Sequence, residues 1–129
     1  MTINFDRALG IHPQALALRE KRGELLAANL ANADTPGYKA RDMDFKSVLN
    51  QNLQLSQRME RTQANHFSFQ NKFEAHTMFR NPNQASLDGN TVEANVEQAK
   101  YAENAVQYQA SLQFVSNKFS GLMMALRGQ

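Results

Sequence analysis

The chain reads as mainly α: two terminal helices forming a coiled-coil-like hairpin, with a small irregular or short-stranded middle region. Three observations predict this. Near the C-terminus, Tyr101, Ala105, Tyr108, Leu112, Val115, Phe119, Leu122 and Leu126 recur at alternating steps of four and three, which puts them on one seam of a single long helix. Near the start, Ile11, Ala15, Leu18 and Leu25 share one face at helical spacing, with Leu26 and Leu30 flanking it. Between the two lie a pair of turn signals, Asp34-Thr35-Pro36-Gly37 and Leu87-Asp88-Gly89-Asn90-Thr91, and a stretch rich in Gln, Asn, Ser and Arg that holds no period.

Taken in order, the first helix is predicted from about Ile11 to Asn32. Pro13 suits its first turn, where the missing N–H costs nothing; a start nearer Asn4 with a kink at Pro13 is the competing option. Leu25 to Ala31 is strongly helix-favouring, although Arg22 and Asn29 interrupt the apolar face. The stop is clear, because Pro36 drives Thr35 out of the α region and Gly37 admits positive φ. Tyr38 to Phe45 reads as extended, and Ser47 to Leu55 as a short helix. From about Gln51 to Ser86, Phe67, Phe69, Phe73 and Phe79 follow neither a helical nor a strand pattern. They suit short strands or an aromatic cluster, and Asn81-Pro82-Asn83 suits a loop. After the Asp-Gly turn, Asn90 is expected to cap the last helix, with Glu93 completing a capping box. That helix, from about Thr91 to Leu126, spans roughly 54 Å at 1.5 Å per residue, and Gly128 lies just past its end. Its length is far above the average of about 11–12 residues and argues for a coiled coil. The organisation is thus 1–50 (helix, turn and extended segment), 51–86 (variable middle) and 87–129 (long heptad helix).

Composition narrows the function. With 129 residues, one domain is expected, and the apolar residues concentrate at the two ends. The formal charge is only +2, and the one basic cluster, Arg19-Lys21-Arg22, alternates with Glu20 and Glu24 as a solvated helix face does. A basic stripe with interleaved aromatics is missing, so nucleic acid is not an expected partner. The absence of cysteine excludes disulfides and thiolate metal sites. The first residues lack the apolar core and cleavage site of a secretory signal, and no stretch approaches the ~20 apolar residues of a membrane span.

No catalytic or cofactor constellation emerges. His12, His66 and His76 lack a second ligand at metal spacing. Asp42 and Asp44 form an Asp-x-Asp pair that nothing extends into a calcium loop, so they read as solvated. Ser111 and Ser116 have no histidine partner and no glycine elbow. The six glycines never make a phosphate-binding run. Met123 and Met124 suit adaptable packing. Asn29 and Asn32 need partners on an otherwise apolar helix end; capping into the turn and a register-setting contact with a neighbouring helix both suit them. The expected site is therefore an assembly surface: Leu18, Leu25, Asn29 and Asn32 on the first helix, and the eight seam residues on the last, with Thr35, Pro36, Gly37 and Tyr38 as the turn motif. Each large apolar side chain fully buried is worth about 1.5–3 kcal/mol, so a two-helix hairpin with half its seam in water is marginal alone and gains by association.

These residues also carry a resemblance. Ala28-Asn29-Leu30-Ala31-Asn32-Ala33-Asp34-Thr35-Pro36-Gly37-Tyr38-Lys39 followed by Phe45, the segment Ala40 to Asp44, and Ser86-Leu87-Asp88-Gly89-Asn90-Thr91-Val92 resemble the terminal signatures of the bacterial flagellar axial proteins (rod and hook components), most closely those of the proximal rod. Matching segments cover roughly the first 50 and last 45 residues; Pro13 departs from a continuous first helix. The resemblance implies a structural subunit of the flagellar basal-body rod, without enzymatic activity or cofactor. Such subunits polymerise helically through their terminal helices and pass torque across the periplasm to the hook. It implies other rod proteins, a basal ring or rod-base adaptor and the flagellar export gate as partners, and type III export without a cleaved signal peptide. A small-molecule substrate is not expected. The alternative is a coiled-coil adaptor or filament subunit of another type III secretion-like assembly. Under the rod-subunit reading, the terminal helices are expected to order only on assembly.

Overall fold

The computed structural model describes residues 8–58 and 77–128. Its elements are α1 (His12–Ala31), β1 (Arg41–Met43), α2 (Phe45–Arg58), β2 (Thr77–Phe79) and α3 (Ala94–Arg127). The expected aromatic cluster at Phe67, Phe69 and Phe73, together with His66 and His76, lies outside the described residues, as does any start before Ala8.

Local chemistry explains where each element begins and ends. Gly10 adopts φ +62°, which separates α1 from what precedes it, and proline occupies its first turn. The helix therefore starts afresh beside Pro13 and does not kink through it. At its other end Asn32 sits at the C-cap, its Nδ2 donating back to the carbonyl of Ala28 (2.8 Å). Asp44 starts α2, its Oδ1 accepting from the amide of Ser47 (3.3 Å). Phe45, Val48 and Leu49 then fall on one face and pack onto the core. That face begins earlier than the expected Ser47 and carries the helix to Arg58, past the expected end of the N-terminal segment. Arg127 lies in the last turn of α3, and Gly128 closes it in the left-handed conformation, φ +72°.

The capping box expected at the start of α3 is not what forms. Glu93 stands at the N-cap without a side-chain cap bond, and its carboxylate instead accepts from the amides of Asn83 (2.6 Å) and Gln84 (3.2 Å). Asn90 also faces elsewhere, as described below. The amides of Asn83 and Gln84, which need an acceptor, and the carbonyls just past α1, which need a donor, outweigh the local cap.

Helices α1 and α3 run antiparallel: Asn29 lies against Glu97, Arg19 against Asn104 and Gln107, and His12 against Phe114. With 34 residues against 20, α3 continues well past its partner's end. Strands β1 and β2 pair antiparallel, Asp42 opposite Met78, as a two-stranded ribbon laid across α1. The core is small. Leu18, Met43 and Val48 form its buried centre, with Leu25, Phe45 and Leu49 packed around them.

Candidate assembly surface

Three arrangements make up the site. The first joins the two turn motifs. Thr35-Pro36-Gly37-Tyr38 and Ser86 to Thr91 lie side by side: the amide of Gly37 donates to the carbonyl of Asp88 (2.9 Å), the amide of Thr91 to that of Tyr38 (3.0 Å), and the amide of Ala40 to the Thr91 hydroxyl (2.7 Å). Asn90, almost wholly buried, is the pin. Its Nδ2 lies within hydrogen-bond distance of the carbonyls of Asn32, Ala33 and Thr35 (3.1, 2.7 and 3.0 Å), at the C-cap of α1 and in the turn just past it, while its Oδ1 accepts from the amide of Val92 (2.8 Å). The residue expected to cap the last helix therefore caps the end of the first.

Gly37 adopts φ +72° in this clasp, and an added Cβ would meet nothing within 4 Å. The demand for glycine is purely conformational. Gly37→Val is expected to destabilise the chain by about 1–2 kcal/mol or more, since L-residues, β-branched ones above all, resist this region. Gly37→Asn, which tolerates it, recovers most of the loss in urea denaturation; equal losses for Val and Asn would show that the turn does not need positive φ.

The second arrangement is a polar network between the helices. Arg22 grips Asp42 with two bonds, one to each oxygen (3.0 and 3.2 Å), Arg80 donates to Asp42 Oδ2, which it shares with Arg22 (2.6 Å), and to Glu97, and Asn29 donates to Glu97 (3.0 Å). Asn29 and Glu97 are fully buried. Asn29 also clamps β1, accepting from the Arg41 amide (3.0 Å) and donating to the Arg41 carbonyl (2.7 Å). The two residues that break the apolar face of α1, Arg22 and Asn29, are thus the two that build this network. Asp42 is not half of a solvated pair, and the basic cluster is only partly a solvated face: Lys21 pairs with Glu24 in solvent, but Arg22 is held by Asp42 and Arg19 stacks on the Phe45 ring at 3.6 Å. Glu97 and Arg80 escaped the sequence reading. The available signal was the seven-residue spacing Glu97–Asn104–Ser111, a polar stripe alongside the apolar one.

Burial alone would raise the proton affinity of Asp42, but the bonds from Arg22, the Met43 amide and Arg80 outweigh it and hold the carboxyl below its ordinary range. Asp88 is held low by Ser86 and the Asn90 amide, and Glu93 by the amide and side chain of Asn83. A carboxyl whose pKa is lower folded than unfolded stabilises the fold above its unfolded value and loses that contribution as pH falls through the folded one. Stability is therefore expected to hold from neutrality down to about pH 5 and to fall below about pH 4, near the free-carboxyl values. In urea titrations at stepped pH, Asp42→Asn should flatten that acid limb; an unchanged limb would show that Asp42 does not contribute to it.

The third arrangement is the surface of α3, which carries two seams. The one turned toward α1 is polar: Glu97, Asn104 and Gln107 meet Asn29, the Arg19 carbonyl and the Arg19 side chain. Asn104 is seated opposite Gly23, where an added Cβ would come within 3.3 Å of its Nδ2. The apolar seam lies beside it and is mostly uncovered. Tyr101, Ala105, Leu112, Phe119 and Leu126 are exposed; Tyr108, Val115 and Leu122 are half-buried. Met123 adds to the exposed strip. On α1, by contrast, Leu18 lies at the centre of the chain's own core with Leu25 packed against it, Asn29 is in the network and Asn32 at the cap. The twelve expected surface residues are thus divided between internal packing on α1 and an open strip on α3.

Fold and site together define a helical structural subunit whose longest helix keeps an apolar seam in water. Comparison with known proteins is specific about which. A family model described as Flagella basal body rod protein matches residues 9–39, the stretch from α1 through the Thr-Pro-Gly turn. Three relatives named flagellar basal body rod protein FlgB match nearly end to end. That of Aeromonas hydrophila is 44% identical, covering 100% of this chain and 99% of its own length. That of Cereibacter sphaeroides strain ATCC 17029 is 45% identical, covering 97% and 98%, and that of Escherichia coli K12 is 42% identical, covering 98% of each. The chain belongs to the FlgB family of flagellar basal body rod proteins and is a structural subunit of that rod.

Proposed function

We propose that the chain polymerises through the open seam of α3, with α1 and the clasp holding that helix in register, and that the rod it helps to build carries torque across the periplasm. The observation that carries this is the division of α3 into a polar seam used within the chain and an apolar seam of which Tyr101, Ala105, Leu112, Phe119 and Leu126 stay exposed. An interface of this kind between unlike patches generates a helical array when its rotation does not close. In this reading the neighbours are other rod proteins, the ring or adaptor at the rod base and, during delivery, the flagellar export gate. No catalytic step is assigned to the chain. The small core of the described residues supports delivery by export, since few buried apolar groups mean that unfolding costs little, and the far end of α3 gains order when a neighbour covers it. The test is a chain trace in density for the assembled basal body. Tyr101, Leu112, Phe119 and Leu126 should be covered by helices of adjacent subunits; a rod in which they still face water would overturn the proposal.

A further inference from the structure

The clasp between the two turn motifs also bears on the covalent durability of the chain. Of its five aspartates only Asp88 is followed by glycine, and no asparagine is. An Asp-Gly step is chemically labile, because glycine has no side chain to shield its amide nitrogen from the carboxyl group before it. That nitrogen attacks Asp88 Cγ: a new N–Cγ bond closes a five-membered succinimide, and one water leaves, made from the amide proton and the carboxyl OH. Water then adds back. Addition at Cγ restores aspartate. Addition at the main-chain carbonyl breaks the original C–N bond and leaves isoaspartate, of equal mass, with the chain now running through the side-chain methylene. The turn does not escape this by using another residue, since Gly89 adopts φ +76°, a region that L side chains resist.

We propose that Asp88-Gly89 is an isomerisation site that the closed clasp keeps unreactive, so that this step of the chain is durable when folded and labile when not. Both reacting groups are occupied. The Gly89 amide donates to the Ser86 carbonyl (3.2 Å). Asp88 Oδ1 accepts from the Ser86 hydroxyl (2.5 Å) and the Asn90 amide (3.0 Å). Ring closure takes the proton from that amide and an oxygen from that carboxyl group, so bonds of both must open first. The same bonds hold the carboxyl below its ordinary range, which shrinks the protonated fraction, the form that loses water. The peptide unit is anchored on its other side as well: the Asp88 carbonyl accepts from the Gly37 amide (2.9 Å), and Asn90 is pinned to the end of α1. Isomerisation in turn damages the clasp. It converts the Asp88 carbonyl into a free carboxylate off the main chain and adds one carbon between Ser86 and Asn90, so the Gly37 bond and the Asn90 pin lose their register.

Rates measured in the purified full chain test this. The chain is incubated at neutral pH with and without guanidinium chloride, and the peptide spanning Asp88 is then resolved into its two forms of equal mass; a protease that cleaves before aspartate leaves the isoaspartate form uncut. Unfolded chain should accumulate isoaspartate at position 88, and folded chain many-fold less in the same time. Asn90→Ala, which removes the pin, and Ser86→Ala, which frees the carboxylate, should each raise the folded rate several-fold. Ser86 is exposed, so its variant is expected to fold and decides the matter if Asn90→Ala does not. Unfolded chain that has aged and is returned to native buffer should hold an isoaspartate fraction that unfolds at lower urea than fresh chain. Equal conversion in folded and unfolded chain overturns the proposal, as does a site that converts in neither. It is overturned equally if Ser86→Ala leaves the folded rate unchanged, or if isoaspartate chain is as stable as fresh chain. None of these outcomes bears on the rod-subunit reading, which rests on the seam of α3.

Discussion

Arg80→Ala is expected to be the most damaging single truncation in the described part of the chain, lowering stability by about 3–5 kcal/mol, because it strands a buried carboxylate. Glu97 has no exposure, and among the described residues its charge is met by Arg80 and the side-chain amide of Asn29. Asp42 would keep Arg22 and survive the loss. Glu97→Gln is therefore expected to cost less, since Arg80 retains Asp42 and a neutral amide can still accept from Asn29. The ion cluster itself need not be a net source of stability, as desolvation of the charges offsets most of their attraction. Its effect is on register: all four charged groups are satisfied only when the end of β2, β1 and the two long helices meet in one alignment. Urea unfolding of the purified chain separates the cases. If Arg80→Ala and Glu97→Gln lose the same amount, the stranded-charge account fails.

The sequence revealed the helices more readily than their partnership. Pro13, the Pro36-Gly37 pair and Gly128 act on the backbone of their own neighbourhood, so the ends they imply for α1 and α3 agree with the structure to within a residue or two. The apolar seam of α3 was legible for the same reason, being a property of one helix. Its relation to α1 was not. A heptad of apolar residues suggests that they face the nearest helix, yet α1 is met by Glu97, Asn104 and Gln107. Polar residues are unremarkable in a sequence until their partners are known, and these partners lie 68 to 88 positions away. The role of Asn90 was hidden likewise. Its local pattern favours a cap for the helix that follows, whereas the carbonyls at the end of α1 reach it only once the chain has doubled back. Resemblance to flagellar axial proteins rests in part on the two turn motifs, and the structure gives their joint occurrence a physical cause: each supplies hydrogen-bond partners of the other.

Leu112→Asp and Phe119→Asp should each abolish rod assembly and motility while leaving the isolated chain folded. In the single chain these side chains are about half exposed, 49% and 47%, so a carboxylate there stays solvated and stability should move by no more than about 0.5 kcal/mol. In the assembled seam the same carboxylate would be buried without a partner, a cost of several kcal/mol against an interface that must form many times over. Monomer stability and assembly are thus expected to part company, which distinguishes an interface from a core. Val106→Asp is the control. It is equally apolar and more exposed, at 67%, but lies about 120° around the helix from Leu112 at 100° per residue. Swimming assays, basal-body fractionation and urea unfolding of the three variants decide the matter. Motile Leu112→Asp and Phe119→Asp cells would remove the seam as the contact, and immotile Val106→Asp cells would show that any charge on α3 is enough, so that no particular face of the helix is selected.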